Sequence, residues 1–177
     1  MGVRRGLRVL ALALLLGILL MLAIAPPALA SVHTYHEQPG QTTYRSRQSL
    51  RDQTEGAWQV TVFKRSTPAG ETGVYLRLVG FPGRSRVDGQ GSLLVQTGTA
   101  TQWTAPARLD GQTQDLPDNV GQYDFAAVLA ELPQPIPLTL VVPVAGAAPA
   151  RLVVAPYVVQ EWLQIYAMTE AAGAEFE

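Results

Sequence analysis

The sequence predicts a mainly β domain: an antiparallel β-sandwich or small barrel of about seven strands, with one short helix and a C-terminal amphipathic helix. Apolar and polar residues alternate in period two through successive short segments between Thr43 and Gly80. Clusters of turn formers separate those segments at short intervals. Sustained helical periodicity begins only after Pro156.

From Thr43 to Arg51 one face reads Tyr44, Ser46, Gln48, Leu50 and the other Arg45, Arg47, Ser49, Arg51, which is the signature of a strand. Asp52 to Gly56 is a turn cluster. Ala57–Arg65 is the next strand, with Trp58, Val60 and Val62 on one side and Gln59, Thr61 and Phe63 on the other. A loop marked by Pro68, Gly70 and Gly73 leads into a third strand, Val74–Gly80, which Phe81-Pro82-Gly83 ends because proline cannot continue a ladder. Short turns between three such strands imply an antiparallel meander. Ser92–Thr97 and Ala100–Ala105 read as two strands around Gly98, and residues 111–121 as a polar loop. Asp124 is placed to cap a short helix from Phe125 to Leu132, stopped by Pro133. Leu138–Val142 and Arg151–Ala155 form a last hairpin. Pro156 then suits the first turn of a helix, where its missing N–H costs nothing. Val158, Val159, Trp162, Leu163, Ile165 and Tyr166 follow at helical spacing and close the core.

The beginning of the chain has another character. Arg4, Arg5 and Arg8 precede an apolar run, Val9 to Ala25, followed by Pro26-Pro27 and the tripeptide Ala28-Leu29-Ala30. A basic head, an apolar run and a small-residue cleavage site read as a secretory signal peptide over residues 1–30. The alternative is an uncleaved membrane anchor, since a run of about 17 residues is at the lower limit for a span. The expected organisation is residues 1–30 signal peptide, 31–41 flexible N-terminal arm, 42–170 a single β-rich domain without a further membrane span, and 171–177 a disordered tail.

Composition narrows the chemistry. There is no cysteine, so disulfides, thiol redox chemistry and cysteine-type zinc sites are excluded. Without Arg4, Arg5 and Arg8 the chain has 10 basic against 14 acidic residues, a balance that argues against a nucleic-acid partner. The charges are uneven: residues 31–108 hold nine basic and five acidic groups, whereas residues 109–177 hold only Arg151 against nine acids. Either the two parts pack with their charges facing each other, or the surface is dipolar and orients on a charged partner. The two histidines, His33 and His36, both fall in the expected arm, and no Gly-x-Ser-x-Gly, P-loop or dinucleotide fingerprint is present. Gly89-Gln90-Gly91 reads as a turn, and Asp115 and Asp118 as solvated loop residues. No cofactor is expected.

Three features point to binding. Arg45, Arg47 and Arg51 share one strand face, with Arg77 placed to join them from the third strand. Arginine pairs carboxylates and phosphates in a bidentate fork, so this face suits an acidic partner surface or an anionic head group. Cleavage after Ala30 would leave Ser31-Val32-His33 at the N-terminus, where an amine, two amides and the His33 imidazole fit Cu(II) or Ni(II). A hydrophobic content of 47% with three tryptophans admits a small apolar ligand in a barrel mouth.

The strings Tyr35-His36-Glu37-Gln38-Pro39-Gly40, Tyr44-Arg45-Ser46-Arg47-Gln48-Ser49-Leu50-Arg51-Asp52, Tyr75-Leu76-Arg77-Leu78-Val79-Gly80-Phe81-Pro82-Gly83 and Val158-Val159-Gln160-Glu161-Trp162 resemble a family of cyanobacterial exported proteins catalogued only as a domain of unknown function. The resemblance covers most of residues 33–166. It implies a photosynthetic bacterium, hence the periplasm or the thylakoid lumen, and transfers no activity and no functional residue. The sequence reading is therefore a non-enzymatic exported binding or accessory module, docked on an acidic surface of a membrane complex. Its rivals are a carrier of a small apolar ligand and an enzyme without recognisable motifs.

Overall fold

A computed structural model describes residues 33–38, 41–66, 73–108 and 116–168. The expected signal peptide, Ser31 and the expected tail at 171–177 lie outside these residues. Among the described residues no helix is long and apolar enough to cross a membrane.

The strands are β1 (His33–Gln38), β2 (Gln41–Arg51), β3 (Ala57–Ser66), β4 (Gly73–Gly80), β5 (Leu93–Gln96), β6 (Gln102–Ala105), β7 (Val120–Asp124), β8 (Leu138–Val142) and β9 (Ala150–Val154). Helix α1 (Ala126–Glu131) lies between β7 and β8, and α2 (Pro156–Ala167) follows β9. They form two antiparallel sheets, β1-β2-β3-β4-β7 and β6-β5-β8-β9. The arrangement is a sandwich; the barrel alternative is not the one adopted.

Period-two alternation determines which residues meet. Trp58, Val60 and Val62 of β3, with Val74, Leu76 and Leu78 of β4, turn inward and are buried. Leu93 and Val95 of β5, Leu138 and Leu140 of β8 and Leu152 of β9 face them from the second sheet. Helix α2 packs on β2 and β3 and buries Val158, Val159, Trp162 and Ile165. Its Trp162 ring meets Phe125 edge-on at 5.7 Å, joining α2 to the segment before α1. Lys64 donates to the carbonyls of Tyr166 and Met168 at 3.0 and 2.5 Å, so a cation closes the negative end of α2.

Three expectations are corrected. His33–Gln38, expected within a loose arm, forms β1 and pairs with β2 from His33↔Arg45 to Gln38↔Gln41. The backbone groups on the outer edge of β2 need partners, and the preceding segment of the same chain supplies them without any apolar pattern. The loop expected to run to Gly121 instead becomes β7 at Val120, because the free edge of β4 takes it up through Val79↔Val120 to Tyr75↔Asp124. The strand count is accordingly nine rather than seven. In addition, Asp124 accepts the Ala126 amide at 3.2 Å but does not occupy the N-cap, which is Phe125. The expected helix therefore starts one residue later.

Side chains and short bridges close the sandwich at its margins. Gln53 acts as a surrogate strand residue: its Nε2 donates to the Pro149 carbonyl at 3.0 Å and its Oε1 accepts the Arg151 amide at 2.7 Å. On the opposite margin, the segment after β6 covers the edge of β7 through Arg108 N–H to the Gln122 carbonyl and Asp124 N–H to the Pro106 carbonyl.

The β2–β3 turn is built by one carboxylate. Asp52 accepts Trp58 Nε1 at 2.8 Å, the Thr54 amide and hydroxyl at 2.8 and 2.7 Å, and the Gly56 amide at 2.9 Å. Burial pushes its pKa up, but these donors outweigh burial and hold it at about 2, below the ordinary 3.8. The contribution is therefore complete above about pH 4 and is lost as pH falls through 2. Asp52→Ala should lower stability at pH 7 by about 1–2 kcal/mol. Urea titrations should show the difference from the parent shrinking as pH is lowered from 4 to 2.

Tyr123 turns inward from β7 and its hydroxyl is buried without a partner among the described residues. Burial, with the Asp88 charge adding to it, pushes the phenol pKa up. Removing an unsatisfied buried hydroxyl abolishes its desolvation cost, so Tyr123→Phe should stabilise the fold by about 1 kcal/mol, read as a raised Tm.

Candidate arginine interface

The register of the five-stranded sheet sets its outer face. One transverse row is Arg45↔Phe63↔Tyr75↔Asp124, and the next is Arg47↔Thr61↔Arg77↔Gln122. Arg65 stands opposite Thr43 and Gly73 in the row on the other side of Phe63. Because strands alternate, these side chains lie on the face opposite the core.

Two aromatic rings organise the cations. Phe63 and Tyr75 pack at 5.5 Å with planes inclined by 45°. The Arg77 guanidinium lies 5.5 Å and that of Arg65 5.8 Å from the Phe63 ring centre. Arg108, from the segment after β6, stacks 4.1 Å over Tyr75. Phe63 is only 7% exposed although it faces outward. Each cation–π contact contributes about 0.5–1 kcal/mol near a surface, which offsets part of the repulsion between like charges. Gln122, itself buried, accepts from Arg77 Nε at 3.0 Å and Nη2 at 2.6 Å and so orients that guanidinium.

Arg45, Arg47 and Arg77 are brought together in two adjacent rows. Arg47 is exposed. Arg51 shares the face but belongs to the turn: it donates to the Glu55 carbonyl at 2.8 Å and sits 3.9 Å from the Glu55 carboxylate. His33 begins β1 opposite Arg45. Among the described residues there is no group of three or more histidine, aspartate or glutamate side chains placed to share a metal ion.

Sequence reasoning missed Phe63 and Tyr75 as a platform, and Arg65, Arg108 and Gln122 as members. Arg65 and Phe63 have the parity of Thr61 on β3, so the same alternation identifies them. Arg108 and Gln122 reach the face through tertiary pairing that no local pattern encodes.

Two described acids of the second part of the chain are engaged elsewhere. Glu161 of α2 is buried on the inner side of β2, where it accepts the Ser46 hydroxyl at 2.5 Å and Gln48 Nε2 at 3.5 Å. Asp118 pairs with Arg86 at 3.4 Å. Asp124 stands at the end of the Phe63 row, on the edge strand β7. The outer face thus gathers Arg45, Arg47, Arg65, Arg77 and Arg108, with Asp124 at one end of the Phe63 row.

A family described as a protein of unknown function (DUF3122) matches residues 30–165. No curated protein and no solved structure matches the chain. The match spans most of the sequence, and the chain belongs to this family.

If the rings support the cations, Phe63→Ala should cost about 3 kcal/mol, measured as a lower urea midpoint at unchanged m. Arg47→Ala, at an exposed position, should change stability by less than about 0.5 kcal/mol.

Proposed function

We propose that this member of the DUF3122 family is an exported, non-enzymatic binding module that docks electrostatically on an acidic protein surface. The observation that carries the reading is the outer face of the five-stranded sheet, where Arg45, Arg47, Arg65, Arg77 and Arg108 surround Phe63 and Tyr75. A flat, cationic, ring-supported platform suits a carboxylate-rich surface, because guanidinium forks pair carboxylates bidentately and the rings hold them in place. The partner is the exposed acidic surface of a membrane complex, and the module serves as an accessory factor to it. The basic head and apolar run at residues 1–30 support export, and the periplasm or thylakoid lumen of a photosynthetic bacterium is the compartment this reading names.

The rival reading of an apolar carrier has less support. The space between the sheets is filled by fully buried side chains, among them Leu76, Leu78, Leu93, Leu140, Leu152 and Trp162.

The test is charge reversal. Arg45→Glu with Arg47→Glu should weaken binding to a poly-glutamate peptide by at least about tenfold and abolish salt-sensitive association with host membranes, while Tm stays within a few degrees. Unchanged binding in the reversal variant would remove the reading.

A further inference from the structure

The segment that follows α2 starts close to the arginine platform. We infer that residues 169–177 fold back over the outer face of the five-stranded sheet and occupy it as a built-in acidic competitor. Such regulation rests on the reading of that face as a docking surface for carboxylates. Residues 169–177 themselves lie outside the described residues.

The fold fixes their point of departure. Helix α2 has no basic residue in its own last turn, and Lys64 of β3 supplies the cation, bonding the carbonyls of Tyr166 and Met168. Lys64 is flanked in sequence by Phe63 and Arg65, two members of the platform. Side chains alternate, so Lys64 points to the helix side and its two neighbours point outward. Met168 adopts φ −63° and ψ 114°, an extended conformation that stops the helical winding. The chain thus leaves α2 beside the end of β3, which closes two residues after Lys64, at Ser66.

The platform is within reach. Arg47 pairs with Thr61, three residues along β3 from Lys64, or about 10 Å at about 3.4 Å per residue. Passing round the end of the sheet adds about 10 Å, the separation of packed layers. The nine residues 169–177 span up to roughly 30 Å when extended. They cover the distance without any movement of α2.

Their chemistry is complementary. The segment holds Glu170, Glu175 and Glu177 and no basic residue, with only alanine and glycine from Ala171 to Ala174. The face it meets gathers Arg45, Arg47, Arg65, Arg77 and Arg108. In an extended chain Glu175 and Glu177 point the same way, about 7 Å apart. Arg45 and Arg47 have the same spacing on β2, the first half-buried and the second exposed. A short tether gives the segment an effective concentration in the millimolar range, so a contact with Kd on the order of 1 mM already competes with an incoming partner.

Two measurements on the full chain test this. The chain contains no cysteine, so Ala174→Cys accepts a single nitroxide label. The label should broaden the amide resonances of Arg47 and Thr61, and the broadening should disappear when Glu170→Gln, Glu175→Gln and Glu177→Gln are added. The same three substitutions in the unlabelled chain should tighten binding of poly-glutamate at least about threefold at low salt, and the gain should vanish at about 0.5 M salt. Equal affinity in parent and variant, or broadening that ignores the three substitutions, would overturn the inference. Loss of poly-glutamate binding on Arg45→Glu with Arg47→Glu would still uphold the docking surface, so failure here leaves that reading standing. Broadening seen only on a second, differently isotope-labelled copy would place the segment on a neighbouring molecule and likewise overturn the assignment.

Discussion

The pairing register of β2 with β3 decides what this molecule shows to its surroundings. Side chains alternate across a strand, so a slip of one residue exchanges the two faces completely. In the observed register Ser46↔Val62 and Gln48↔Val60 face the helix and the core, and Arg45↔Phe63 and Arg47↔Thr61 face outward. A one-residue slip of β2 would carry Arg45, Arg47 and Arg51 under α2 and turn Ser46 and Gln48 outward, while Val60 and Val62 stayed inside. Burying a charged group without a partner costs several kcal/mol, so the alternative is strongly disfavoured. Asp52 holds the register at one end of the hairpin, and Lys64, bonded to the last carbonyls of α2, holds it at the other.

The same register separates the charges. Glu161 is buried on one side of β2 and takes its hydrogen bond from Ser46. The arginines stand on the other side, supported by Phe63, Tyr75 and Gln122. Glu161 and the arginines thus stand on opposite sides of β2. The contrast between the basic first part of the domain and the acidic second part is met by internal pairing at Arg86–Asp118.

Much of the fold is legible in the sequence because its core strands alternate cleanly. Trp58-Val60-Val62 and Val74-Leu76-Leu78 announce both the strands and their buried sides, and Pro156 announces the final helix. Two strands escape such reading for a physical reason. β1 is polar throughout and exists because β2 has an edge to fill, and β7 contains glycine, glutamine and aspartate and exists because β4 does. Edge strands draw their stability from the neighbour, so their own composition says little. The arginine row on β2 is visible as period two. The rings beneath it, the Gln122 clamp and the Arg108 stack depend on strands that are far apart in sequence.

The most direct test of the register uses the chain's lack of cysteine, which leaves a clean background for paired substitutions. Arg47 and Thr61 are Cα partners, and Arg47 and Val60 point to opposite faces. Under mild oxidation, Arg47→Cys with Thr61→Cys should form an intramolecular disulfide in high yield, and Arg47→Cys with Val60→Cys should remain reduced. Cross-linking of the second pair in preference to the first would place the arginines on the inner side of the sheet and contradict the account.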